Sequence, residues 1–215
     1  MKKLLGILGI ASVLFASSCD QKPKLPDTLP FQVAKAYGFE NMDQVNSIGF
    51  TWNVQRDSVN VFSRSYLWNL KEQTVAYSDA DTAYSYSLLA DSLPPADKGF
   101  INDKYWAMIP FQLAWDSGYT FETTENVTSP IHGTPSTKLT ILYNSADGYT
   151  PGDAYDLYVD ENHKLLEWVF RRGNGPEGRP ITWETEQKVG PLTFLTEHKN
   201  AEGNRTIWIS GITVN

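Results

Sequence analysis

One cysteine, three histidines and two runs of carboxylates are the residues in this 215-residue chain whose types could do chemistry. Cys19 is the sole thiol, so no disulfide can form within the chain, and it stands directly after the small-residue triplet Ala16-Ser17-Ser18. The chemistry open to it there is attachment. His132, His163 and His198 have no paired spacing of the H-E-x-x-H kind, so a zinc site would need ligands gathered from distant segments and no metal site is expected. Asp147, Asp153, Asp156 and Asp160 offer oxygen ligands of the kind calcium takes, yet they lack the EF-hand order and read as a solvated face. Glu184 and Glu186 could mimic the carboxylate pair of a glycoside hydrolase, but alternation with Trp183 and Thr185 turns both outward. Gly173-Asn174-Gly175-Pro176-Glu177-Gly178 has dinucleotide-loop spacing; Pro176 and the strand-like Ile181 to Lys188 exclude the helix that such a loop must open. With no G-x-S-x-G elbow, phosphate loop or cysteine nucleophile, the chain reads as a non-enzyme with no catalytic residue and no cofactor.

The first segment is zoned: Lys2-Lys3, an apolar stretch from Leu4 to Phe15, then the small triplet. The apolar run is well short of the roughly 20 residues a bilayer span needs, so it reads as an export signal. It resembles a bacterial lipoprotein signal, which implies acylation of the Cys19 thiol with palmitate-type chains and a membrane anchored through that lipid. Residues 1–18 are then the signal and 19–29 a lipidated tether, extended by Pro23 and Pro26. Residues 30–215 are expected as a single antiparallel β domain, a monomer held to the cell envelope, at the outer membrane rather than the inner.

Dropping Lys2 and Lys3 with the signal takes the formal charge from −7 to −9, and the remaining lysines and arginines form no stripe. Nucleic acid is therefore excluded as a partner. Aromatic residues make up 13% of the chain, with seven tryptophans, and most fall in runs of period two, the mark of a strand with one buried face. Such runs cover Ile48 to Val54, Val59 to Leu70, Thr74 to Ser78, Ala83 to Leu88, Leu139 to Tyr143, Tyr155 to Val159, Leu166 to Phe170, Ile181 to Thr185, Leu192 to Thr196 and Ile207 to Gly211. Turns at Asp147-Gly148, Asp160-Glu161-Asn162, Gly173 to Pro176 and Glu202-Gly203-Asn204 join them as antiparallel neighbours.

Helix is scarcer. Phe31, Ala34 and Tyr37 recur at three-residue spacing before Gly38, and Asn41 to Ser47 extends that element as a short turn. Asn102 to Ser117 is apolar nearly all round and carries Pro110 in its middle, so it must kink and either pack on the sheet or lie across its open end.

The runs Phe100 to Trp106, Pro110 to Asp116, Gly148 to Asp160 and Gly190 to Leu192 resemble an uncharacterised lipoprotein domain family of Bacteroidota, a domain of unknown function. The triplets Asp27-Thr28-Leu29, Asp57-Ser58-Val59, Asp81-Thr82-Ala83 and Asp91-Ser92-Leu93 resemble an O-glycan acceptor motif, and equally suit ordinary turns. In the order of its elements the chain is similar to the Lol-type lipoprotein carriers, which implies a mainly β (α+β) fold: a single curved antiparallel sheet or half-open barrel, with a few short helices as lid. In that reading Trp106, Met108, Phe111 and Trp115 close over a hydrophobic ligand such as an acyl chain. Core packing is the competing use for Trp52, Trp68, Trp168, Trp183 and Trp208. A different class remains open beside it, an envelope module meeting protein or glycan through exposed aromatics.

Overall fold

In strand β6 (Pro135–Tyr143), Leu139, Ile141 and Tyr143 are buried while Thr140 and Leu142 between them are partly exposed, so the period read from the sequence is the period that is packed. The structure, a computed structural model, describes residues 26–144 and 151–215. It is mainly β. A short helix α1 (Leu29–Ala36) and a 3-10 turn (Phe39–Gln44) precede β1 (Ser47–Gln55), β2 (Val61–Asn69), β3 (Thr74–Ser78) and β4 (Ala83–Ser87). The long helix α2 (Ala96–Trp115) follows. Then come β5 (Tyr119–Thr128), β6, β7 (Ala154–Val159), β8 (Leu165–Arg171), β9 (Arg179–Thr182), β10 (Glu184–Val189), β11 (Leu192–Lys199) and β12 (Arg205–Val214).

Hydrogen bonding divides these strands into two antiparallel sheets that do not close into a barrel. One has seven strands in the order β10-β11-β12-β1-β2-β3-β4, the other five in the order β5-β6-β7-β8-β9. The single curved sheet expected from the sequence is thus interrupted at one place, the extended run from Arg179 to Val189. Its first part bonds β8 and its second part bonds β11. Trp183 sits at the change-over, buried, with its N–H donating to the Leu166 carbonyl at 2.8 Å. Thr185 just beyond it has φ 59°, an unusual conformation for a β-branched residue that marks where the strand is re-aimed. That is why Ile181, Trp183 and Thr185 do not form one uninterrupted strand.

Turn chemistry holds at the described turns. Gly173 and Asn174 take φ 57° and 53°, and Gly203 takes 78°. Asp147-Gly148 lies outside the described residues, as does Cys19. One strand was not read from the sequence: β5 is polar and exposed along nearly its whole length, and it forms the free edge of the five-stranded sheet.

Helix α2 packs between the two sheets. Phe100 meets Tyr66 and Trp68 of β2, Phe111 meets Phe194 of β11, and Tyr105 and Trp106 meet Tyr155 of β7 and Trp168 of β8. It kinks, with Met108 at φ −141°, ψ 23°, two residues before Pro110. The proline ring crowds the turn that precedes it and removes a helix donor, so the break falls upstream of the proline itself.

Candidate ligand-binding cleft

The N-terminal half of α2 has two working faces. Asp97, Phe100, Asp103 and Ala107 are buried against the seven-stranded sheet. Asp103 is the anchor there: its carboxylate accepts from Arg64 Nε and Nη2 at 2.7 Å each and from the Tyr66 hydroxyl at 2.8 Å. Asn102 Nδ2 donates to the same carboxylate at 2.9 Å. Burial pushes the Asp103 carboxyl up, and the Asn102, Arg64 and Tyr66 donors oppose that by favouring the charged form. A carboxylate with this many charge-assisted bonds fixes the helix's height and rotation on β2.

Lys98, Ile101, Asn102, Tyr105 and Trp106 recur at helical spacing on the other face. Opposite them stand Tyr155 of β7 and Trp168 and Phe170 of β8, and between the two walls lies a cleft of about 410 Å³. Tyr155 and Phe170 are cross-strand partners with rings 5.2 Å apart, and Trp168 stands on the same face of β8 two residues before Phe170. The walls are therefore mostly aromatic, and the side-chain polar groups among the described lining residues are few: the Lys98 ammonium, the Asn102 amide, two tyrosine hydroxyls and two indole N–H groups. Such a composition suits an apolar guest.

Tyr105 also ties the helix to the five-stranded sheet. Its hydroxyl bonds Asp116 Oδ2 at 2.8 Å and the hydroxyl of Tyr143, which bonds the same Asp116 oxygen at 2.8 Å. Burial pushes both phenols well above their ordinary range, and the neighbouring Asp116 carboxylate adds to the effect, so both stay neutral donors. On the other side Trp106 packs edge-on against Trp168 at 4.7 Å and parallel to Trp183 at 6.2 Å. His198 completes that cluster, 4.3 Å from Trp183. Its Nδ1 lies 3.2 Å from the Thr182 carbonyl, while Nε2 faces the Trp106 backbone without a well-formed hydrogen bond. Burial holds the imidazole down to about 4. It is neutral at pH 7, and its charging belongs to the stability of the sheet junction.

No family model matches the chain, and no curated protein matches it by sequence. In solved structures it is similar to a DUF1329 family protein from Desulfovibrio piger ATCC 29098, at 9% identity and a TM-score of 0.46 over 89% of this chain and 94% of that one. It is also similar to a LolA superfamily protein from Nitrosomonas europaea, at 7% identity and a TM-score of 0.48 over 87% of this chain and 92% of that one. A domain of unknown function and a Lol-type architecture, both expected from the sequence, are thus represented, whereas a Bacteroidota origin gains no support. Likeness at this level concerns architecture and does not reach the chemistry of the cleft.

Of the four residues expected to close over a ligand, the structure brings Trp106 to the cleft. Met108 and Phe111 are fully buried in the core, and Trp115 packs on Trp68 and Phe111. Helical spacing is the reason: Met108 lies two positions after Trp106 and so faces another way, and Phe111 and Trp115, three and seven positions further on, fall on Met108's side. The partners missed in the sequence, Lys98, Ile101 and Asn102, lie on the unbroken half, where the spacing 98, 101, 102, 105, 106 was the available signal. In the sequence Tyr155, Trp168 and Phe170 show only strand alternation, with core packing as the use of Trp168.

The remaining candidates have structural uses. Glu184 pairs with Lys199 at 2.5 Å and Glu186 with Lys164 at 2.8 Å, which separates them as an acid–base pair. Asp156 pairs with Arg171 at 2.8 Å and Asp160 caps the β7–β8 turn. Among the described residues no group of three or more His, Cys, Asp or Glu is placed to hold a metal. Glu167, fully buried, accepts from Ser129 Oγ at 2.7 Å, from the Ile131 and His132 amides at 2.7 and 2.9 Å, and meets His132 Nδ1 at 3.0 Å. Serine and histidine both address the carboxylate and not each other, so the cluster pins the β5–β6 turn and lacks the nucleophile-to-base contact of a hydrolase.

Proposed function

We propose that this chain is an envelope lipoprotein, anchored through a lipid on Cys19, that holds an apolar or acyl guest in the cleft between α2 and the β7–β8 face. The cleft carries the reading: about 410 Å³ walled by Tyr105, Trp106, Tyr155, Trp168 and Phe170. If a methylene occupies roughly the ~30 Å³ of a liquid water, that volume takes one chain of about a dozen carbons. Burying ten methylenes is worth about 8 kcal/mol of transfer free energy. Association costs of at least ~4 kcal/mol leave about 4 kcal/mol at most, a dissociation constant of about a millimolar or weaker, which suits a guest handed on rather than kept.

Anchoring is assigned to the lipid on the signal-like segment that ends at Cys19; no helix among the described residues is long and apolar enough to cross a membrane. Where the chain sits in the envelope follows from its signal segment alone. An interaction module working through exposed aromatics has less to work with: none of the seven tryptophans is exposed, and Tyr84 and Phe121 are the exposed large aromatics among the described residues. Native mass spectrometry with lipid extraction on the chain purified from its own cells tests the proposal. A co-purifying acyl species at one per chain supports it, and a chain that stays empty when offered acyl amphiphiles counts against it.

A further inference from the structure

Resting on that reading, we infer that the guest is a single-chain amphiphile with an anionic carboxylate head, seated tail-inward with its head at Lys98. Lys98 is the one charged residue among the described residues lining the cleft. It is exposed, on the first turn of α2, and has no carboxylate partner among the described residues. The neighbouring Asp97 is buried on the opposite face, within reach of the Tyr86 hydroxyl at 3.2 Å, so it does not neutralise the cleft mouth.

None of the polar groups deeper in the site, among the described residues, carries a positive charge at neutral pH. The indole N–H groups of Trp168 and Trp183 and the Nε2 of His198 are sealed from solvent, and the Tyr105 hydroxyl is held by Asp116 and Tyr143. Among the described residues a charged head therefore finds a counter-charge only at the mouth, at Lys98, since the Asn102 amide beside it already donates to Asp103. One ammonium balances one carboxylate. The chain's net charge of −7 disfavours a head carrying several negative charges. A single volume of about 410 Å³ limits the tail to one chain.

The test uses the full chain with Cys19→Ala, so that no detergent is needed, and three ten-carbon probes below their micelle concentrations: decanoate, decyltrimethylammonium and decanol. Binding is followed by tryptophan emission and calorimetry at low salt. Decanoate is expected to bind about tenfold more tightly than the cation. Lys98→Met should erase that preference, and Lys98→Glu should reverse it, with decanol binding unchanged in both. If decanoate and decanol bind alike and neither substitution alters the order, the head-group inference is overturned while the cleft reading stands. If none of the three probes binds, the cleft reading falls and this inference with it.

Discussion

Protonation of His198 should unlock the junction between the two sheets. The side chain is fully buried, and its imidazole is held down to about 4 from an ordinary 6.5. Burial is the main cause, with the Thr182 and Trp106 backbone and Glu184 opposing it. Because the folded-state value lies below the unfolded one, the unfolded chain binds the extra proton first. The stabilising contribution is fully present above pH 6.5 and is lost as the pH falls from 6.5 towards 4. At about 1.4 kcal/mol per unit, the loss is about 3 kcal/mol, or roughly 6–12 °C in Tm for a domain of this size. Urea unfolding of the wild type and His198→Gln at pH 7.5, 6.5, 5.5 and 4.5 measures it. The substitution removes a titrating group and keeps a donor for the Thr182 carbonyl, so its own cost is independent of pH while the carboxylate titrations cancel in the difference. The gap between the two proteins should narrow by about 3 kcal/mol on going to low pH. Parallel curves, with the same gap at every pH, would refute the account of this histidine.

Asp103→Ala leaves the Arg64 guanidinium partly buried without its partner and should cost about 3–5 kcal/mol, read as a fall of the thermal midpoint of about 10 °C. Gly38→Ala places a methyl 2.4 Å from the Pro191 carbonyl at φ 98°, whereas Gly133→Ala at φ 64° meets open space. The first should therefore destabilise by at least ~2 kcal/mol more than the second in chemical denaturation. Cys19→Ala should move the protein from the membrane pellet to the soluble fraction without altering its circular dichroism, and retention in the pellet would refute lipid anchoring.

Period-two alternation made most of the strands legible because each has one face against a core that admits only large apolar side chains. It was silent for β5, whose Thr and Glu residues face solvent on both sides, although its threonines and aromatics carried the β propensity that could have found it. It could not show the break at Trp183, since a strand that leaves one sheet for another keeps its local alternation. The site was harder still. Pro110 announced a kink, but which half of α2 faces the guest depends on how Asp103 docks on Arg64 and Tyr66, and those residues are about 40 positions apart in the chain. Buried carboxylates such as Glu167 look like solvated charges in a sequence, because the amides that satisfy them belong to a turn folded from elsewhere.

The claim that an apolar guest occupies the space beneath Trp106 is tested most directly by tryptophan quenching with a neutral acyl chain brominated near its end, in the wild type and in Ile101→Glu. Bromine in the cleft would lie against Trp106 and Trp168, so quenching should saturate at one chain per protein. It should weaken by at least about tenfold when a carboxylate is placed in the wall, since a buried unpaired charge costs more than 1.4 kcal/mol. Quenching that does not saturate, or that is the same in both proteins, would contradict the account.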